Sequence, residues 1–229
     1  MQPLVHPLAP RFAQAITGVL ALEAAIFGQP AALAVALVLV LLSLAGPRWS
    51  PVAWVFRRIA PPAAELEPAR PVRFSQTLAA VFLTTSLVLI AVGWDVAGWA
   101  VALAVSAVAL ISAVTGFCIG CEVYRLLLAR RGGAPEDVRG DLGLTGAGPW
   151  LVVLTAPGCA RCEPLAREME RAAGDREVVR VDLSRRPAAA ALPVRSVPAA
   201  LAVGTDGSLR AARAGRVGAP EIAQVLAAL

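Results

Sequence analysis

The sequence predicts two folds in tandem: an all-α four-helix transmembrane domain over residues 1–131, then a small α/β domain over residues 150–229, joined by a flexible glycine-rich linker at 132–149. Three observations carry this. The 229 residues are 58% hydrophobic and only 16% charged, with a mean hydropathy of +0.69, which is too apolar for an ordinary soluble domain. The apolarity is uneven, because residues 12–117 hold few charges while 120–229 hold most of the acids and many arginines. All four cysteines fall into two C-x-x-C pairs, Cys118 with Cys121 at the close of a long apolar run and Cys159 with Cys162 just after a short one.

In chain order, residues 12–27 and 31–45 are apolar runs around Gly28-Gln29-Pro30, and 75–92 and 96–117 form a second pair around Gly93-Trp94-Asp95. A helix needs about 20 residues to cross the hydrocarbon, so the second pair spans comfortably and the first requires tilt, local thinning or a re-entrant hairpin. Arg11-Phe12-Ala13-Gln14 opens the first hairpin and Arg73-Phe74-Ser75-Gln76 the second, and the second run of each meets a glycine, Gly46 and Gly116. This reads as a duplicated two-helix unit. Aligned at those glycines, Cys118 stands opposite Arg48 and Cys121 opposite Pro51, so the thiols belong to the second copy alone.

The net charge of +5 comes with no lysine, so every basic side chain is an arginine. These arginines interleave with apolar runs as topology signals do, and no RNA- or DNA-binding motif accompanies them, so nucleic acid is not an expected partner. Arg11, Arg48, Arg57, Arg58, Arg70, Arg73, Arg125, Arg130 and Arg131 all fall at one predicted membrane face, and the two tight hairpin loops opposite carry none. Positive residues stay inside, which predicts a multi-pass protein of a bacterial inner membrane with both termini and the C-terminal domain cytoplasmic. Residues 1–10 lack a charged n-region and a cleavable apolar core, so no removable signal peptide is expected. Glu23, inside the first apolar run, reads either as a proton or quinone contact or as a carboxyl near the outer interface.

After the linker, residues 150–155 read as a buried strand and 159–173 as an amphipathic helix. Then come strand 178–182, a hairpin of 199–204 and 209–214 around Asp206-Gly207, and a closing helix at 219–229. Thr155-Ala156-Pro157-Gly158-Cys159-Ala160-Arg161-Cys162 at the strand-to-helix junction, with Ser196-Val197-Pro198 before the third strand, resembles the thioredoxin family. A helix start presents unpaired N–H groups and positive dipole, favouring thiolate at Cys159, so Cys159 is the expected attacking thiol and Cys162 the resolving one. The resemblance implies that Pro198 is a cis-proline facing the pair and that Val197 offers backbone hydrogen bonds to a bound substrate strand. Ala160-Arg161 replaces the family's usual Gly-Pro between the thiols, and Val153 stands where many thioredoxins bury an acid. The pair is therefore expected to be more oxidising than a proline-containing one and poorly suited to general reductase turnover. A lone metal half-site or incidental thiols remain the alternative for Cys159 and Cys162.

The four-span layout, the Arg-Phe-x-Gln repeats and the ending Gly116-Phe117-Cys118-Ile119-Gly120-Cys121 resemble a bacterial integral-membrane family catalogued only as a domain of unknown function. The resemblance implies architecture and no established activity. Residues i and i+3 share a helix face, so Cys118 and Cys121 can close a disulfide with modest adjustment. They read as a redox partner, as soft-metal ligands or as small packing residues. The expected function is a membrane-tethered thiol–disulfide oxidoreductase passing electrons between the two pairs. The linker's 18 residues give a root-mean-square span of about 23 Å. Its expected partners are thiol or disulfide proteins and the lipid bilayer. No cofactor is required beyond the disulfides, with a quinone as a candidate terminal partner. The rivals are a copper- or zinc-binding or transport module, and a thioredoxin-like protein on an inert anchor.

Overall fold

The computed structural model describes residues 4–130, 137–186, 189, 192, 194 and 196–229. It is mostly helical, with a few apolar helices and a separate small sheet region, and it divides into two compact units. Arg131 and the first part of the expected linker, 132–136, lie outside the described residues.

The first unit takes residues 8–61 and 70–127. Its helices are α1 (Leu8–Phe27), α2 (Pro30–Ala45), α3 (Pro51–Ile59), α4 (Ala69–Ala91), α5 (Asp95–Thr115) and all but the last turn of α6 (Ile119–Arg130). Gly28 at φ 62° ends α1 and Pro30 opens α2, with its missing N–H at a helix position that has no use for one. Gly116, at φ 74°, closes α5 in the left-handed conformation and donates its N–H to the Ser112 carbonyl. Small residues bring α1 against α5: a Cβ at Gly18 would stand 2.8 Å from Leu110, and Ser106 Oγ donates to the Gly18 carbonyl at 2.8 Å. Ala21, Ala24, Leu33, Ala36, Leu83 and Ala102 fill the middle. Small side chains at the contact let the two helix backbones approach closely.

Among the described residues, α4 and α5 are long and apolar enough to cross a membrane, and most of each faces outward; α2 is apolar but shorter, at 16 residues. Glu23 is exposed on α1. The short helix α3 is a feature that the apolar runs did not reveal. Ser50 caps it by accepting from the Ala53 N–H at 3.1 Å, and Val52 and Phe56 turn inward. Trp54 and Ile59 stay exposed, with the Arg58 guanidinium 4.6 Å over the Trp54 ring.

The second unit takes residues 2–7, 62–69 and 128–229. Strands β1 (Leu4–Val5) and β2 (Glu67–Pro68) pair antiparallel. The main sheet holds β3 (Trp150–Thr155), β4 (Val178–Asp182), β5 (Ala199–Val203) and β6 (Leu209–Ala214) in the order β4-β3-β5-β6. β3 and β4 run parallel, joined through α8 (Cys162–Ala173), and β5 and β6 run antiparallel to their neighbours. Both faces of β3 and β5 are covered, so these strands read as continuous apolar runs rather than alternating ones. Leu151, Val153, Ala200 and Ala202 face α8 and the closing helix α9 (Ala219–Leu226), while Val152, Leu154, Leu201 and Val203 face the opposite core.

Two expectations are corrected here. The flexible linker does not extend to 149: α7 (Arg139–Leu142) buries Leu142 in the sheet core beside Val138, and Trp150 Nε1 donates to the Thr145 carbonyl at 3.1 Å. Apolar side chains placed between the glycines hold 137–149 against the fold. Helix α8 begins at Cys162 rather than Cys159, because residues 157–161 form a turn in which the Cys162 N–H donates to the Cys159 carbonyl at 3.3 Å.

Candidate functional site

The pair Cys159–Cys162 is a disulfide between the end of β3 and the start of α8, with a Cα–Cα distance of 5.5 Å. β3 is locked between two strands, so the turn that carries Cys159 rests on the most buried part of the sheet. Cys162 is 5% exposed while Cys159 is half-buried, leaving Cys159 as the sulfur within reach. The Val197–Pro198 peptide bond is cis, and both residues are buried at the entry to β5.

Residues 62–68, between α3 and α4 in sequence, form an extended strap over this pair. Leu66 donates its N–H to the Val197 carbonyl at 2.9 Å, and Val197 donates back to the Leu66 carbonyl at 2.7 Å, an antiparallel bridge. Two residues earlier the Ala64 carbonyl oxygen lies 3.7 Å from Cys159 Sγ, and the Ala63 carbonyl accepts the Ala160 N–H at 3.1 Å. Between these anchors Glu65 pairs with Arg161, the residue before Cys162, at 2.7 Å. At about 3.3 Å of rise per residue, the strap sets Val197 and Cys159 roughly 7 Å apart along one extended chain. Beside it is a hollow of about 280 Å³ that Arg161, Arg216, Glu168, Pro198 and Gly215 help to line, with two arginines to one acid. On α8 the Glu163 carboxyl is held below the usual carboxylate range, first by the hydrogen bond from Arg167 and then by the charge of Arg180.

The pair Cys118–Cys121, also a disulfide, has a Cα–Cα distance of 5.2 Å and sits where the chain leaves Gly116 and enters α6. The Cys121 N–H donates to Cys118 Sγ at 3.3 Å, the Gln14 amide donates to the same sulfur at 3.8 Å, and Ser75 Oγ lies 3.5 Å from it. Cys118 ends a mainly apolar cavity of about 290 Å³ whose polar lining includes Gln14, Gln76, Ser43, Ser75 and Ser112. The arginines of the two Arg-Phe-x-Gln stretches meet helix ends: Arg73 donates to the Leu44 carbonyl at 2.7 Å, and the Arg11 guanidinium packs over Gly116. Phe12 packs tilted against Phe56 and Phe74 against Tyr124, at ring separations of 5.7 and 5.5 Å.

Residues 5–129 match a family described as a domain of unknown function (DUF4395). The chain belongs to the DUF4395 family. Cys118, Cys121 and the cavity fall inside the stretch that matches DUF4395, while Cys159, Cys162, Val197 and Pro198 follow it. No curated protein and no solved structure matches the chain.

The structure brings Cys159, Cys162, Val197 and Pro198 together in one unit, and Cys118 with Cys121 in the other. Sequence reasoning missed the strap. Its signal was Pro61-Pro62-Ala63-Ala64-Glu65-Leu66-Glu67-Pro68, since prolines bias themselves and the residues before them to extended backbone. Gln14 and Gln76 were also missed as cavity residues, although each closes an Arg-Phe-x-Gln stretch.

Proposed function

We propose that the chain is a membrane-embedded thiol–disulfide oxidoreductase with a thioredoxin-like C-terminal domain. The observation that carries this is the backbone of Val197, before cis-Pro198, pairing with an extended segment that passes the half-buried sulfur of a C-x-x-C disulfide. The element order β3-α8-β4, then β5-β6-α9, with the cysteines at the β3–α8 junction, supports the same fold reading. In the reducing direction Cys159 thiolate attacks one sulfur of a partner disulfide, forming a mixed disulfide while the partner's other sulfur leaves as thiolate. Cys162 then attacks Cys159 Sγ, closing the pair and releasing the partner's second thiol. Two electrons have moved to the partner.

The partner within the chain is Cys118–Cys121 in this reading. Once reduced, its two thiols surrender two electrons and two protons to an acceptor, and the cavity beside Cys118 supports a quinone in that role. Its walls are mainly apolar, and Gln14 and Gln76 offer amides to ring oxygens. The apolar helices α4 and α5 support membrane placement, and the arginines around α3 and α6 support a cytoplasmic site for both pairs. Among the described residues no three of His, Cys, Asp and Glu cluster, so a soft metal here would have the two thiolates of one reduced pair as its ligands.

The test replaces Cys162 with Ser in living cells. Trapped mixed disulfides on Cys159 are expected, and in wild-type spheroplasts kept reduced a membrane-impermeant maleimide should reach Cys159 only after permeabilisation. No trapped species, with Cys159 and Cys162 of the wild type alkylated at equal rates, would defeat the oxidoreductase; labelling of Cys159 in intact spheroplasts would defeat the topology.

A further inference from the structure

The strap binds as a peptide would, and its residues define what the site selects. Leu66 holds the bridge to Val197, Ala64 places its backbone at Cys159 Sγ, and Glu65 between them answers Arg161. The Ala64 carbonyl is 3.7 Å from Cys159 Sγ, so a cysteine at that position would carry a sulfur into the neighbourhood of the attacking thiol. Alanine there has no sulfur and cannot react. We propose that residues 63–66 are a built-in pseudosubstrate, and that the oxidoreductase takes extended chains of the pattern cysteine–acid–aliphatic, a reading that rests on the thiol–disulfide function above.

Two further observations support the pattern. Arg161 holds Glu65, and the hollow beside Pro198 is lined by Arg161 and Arg216 against one acid, Glu168, so an acid after the reactive cysteine meets net positive charge, whereas a basic residue meets like charge. The chain also carries the same pattern with the reactive residue in place: Cys121-Glu122-Val123 repeats Ala64-Glu65-Leu66 with cysteine for alanine. That segment is now the first turn of α6, with Glu122 paired to Arg125, so it must unwind to bind. Cys162-Glu163-Pro164 does not fit, since proline has no N–H for the Val197 carbonyl.

The strap hangs between α3 and α4, so it competes with incoming chains as an intramolecular ligand rather than a free one. Binding therefore requires the strap to leave. Opening it frees the Val197 backbone and uncovers Cys159 in one movement, and it releases Arg161 from Glu65 to face the incoming acid.

The test uses the full chain in detergent, fully reduced, with two measurements. Iodoacetamide labelling of Cys159 should run about ten-fold faster in Glu65→Arg than in wild type, and in Leu66→Pro, which removes the N–H donor, by a similar factor. Glu65→Arg alters a partly exposed side chain and keeps the core intact, so it reads strap release should the proline variant fold poorly. Exchange with glutathionylated peptides should then favour Ala-Cys-Glu-Leu over Ala-Cys-Arg-Leu at least ten-fold in kcat/KM, and Arg161→Gln should erase most of that preference. Equal labelling rates, with exchange indifferent to the residue after the cysteine, overturn the pseudosubstrate alone. Absence of exchange with every peptide, in wild type and variants alike, overturns the oxidoreductase and the pseudosubstrate with it.

Discussion

At the scale of single residues, two arginines serve needs that charge counting alone does not reveal. Arg11 and Arg73 read in the sequence as topology signals, and each also meets the C-terminal end of an apolar helix, where the last carbonyls lack intrahelical partners and carry partial negative charge. Arg73 binds the Leu44 carbonyl near the end of α2, and Arg11 packs over Gly116 at the end of α5, each from the start of a helix in the other hairpin. Replacing Arg73 with Met should cost about 1–2 kcal/mol, the range for a charge-assisted hydrogen bond whose acceptor is left unpaired. The check is thermal unfolding in detergent beside Arg70→Met, which changes an exposed arginine of the same helix and should stay within about 0.5 kcal/mol. Equal losses in the two variants would mean that Arg73 acts through charge alone.

At the scale of elements, apolar runs and β-rich runs were legible and contacts across the chain were not. The strands 150–155, 178–182 and 209–214 lie where their patterns put them, because each is a short apolar or alternating run bounded by turn residues. α3 was hidden because nine residues with two arginines and three prolines nearby carry no long apolar signature. The cysteines stood out by spacing alone, but the strap over them did not, since its partners Val197 and Cys159 lie about a hundred residues or more further along the sequence. The linker was misread for a physical reason. Gly140, Gly143, Gly146 and Gly148 mask Val138 and Leu142, and three of those glycines sit at positive φ where a flexible reading sees only freedom: Gly143 caps α7, Gly148 lies against the Trp150 ring, and Gly146 turns the chain between them. Leu142→Ala should therefore cost about 2–4 kcal/mol of sheet-unit stability by leaving a cavity, measured by denaturant unfolding followed at Trp150. A tether would give a change near zero.

At the scale of the whole molecule, the proposed relay asks the two disulfides to meet, and covalent reach makes that encounter intramolecular. α6 ends at Arg130 and the folded sheet unit resumes by Asp137, so at about 3.5 Å per residue the connection spans no more than roughly 25 Å. The strap and residues 4–7 are further connections, since the strap leaves α3 and enters α4 and β1 leads into α1. Such short connections put the pairs at an effective concentration far above that of free partners. Static exposure and pattern disagree about which sulfur of the first unit reacts: Cys118 is half-buried and Cys121 only 7% exposed, yet only Cys121 is followed by an acid and an aliphatic residue. Binding in extended form requires the first turn of α6 to unwind, and unwinding removes the burial that protects Cys121, so the pattern decides. In a chain lacking Cys162, diamide should link Cys159 to Cys121 when Cys118 is replaced by Ser. The link to Cys118, with Cys121 replaced, should form in lower yield. The yield should not change on ten-fold dilution, and Glu65→Arg should raise it by vacating the site. A link that fades on dilution would place the exchange between molecules, and no link to either cysteine would end the relay while leaving each pair its own chemistry.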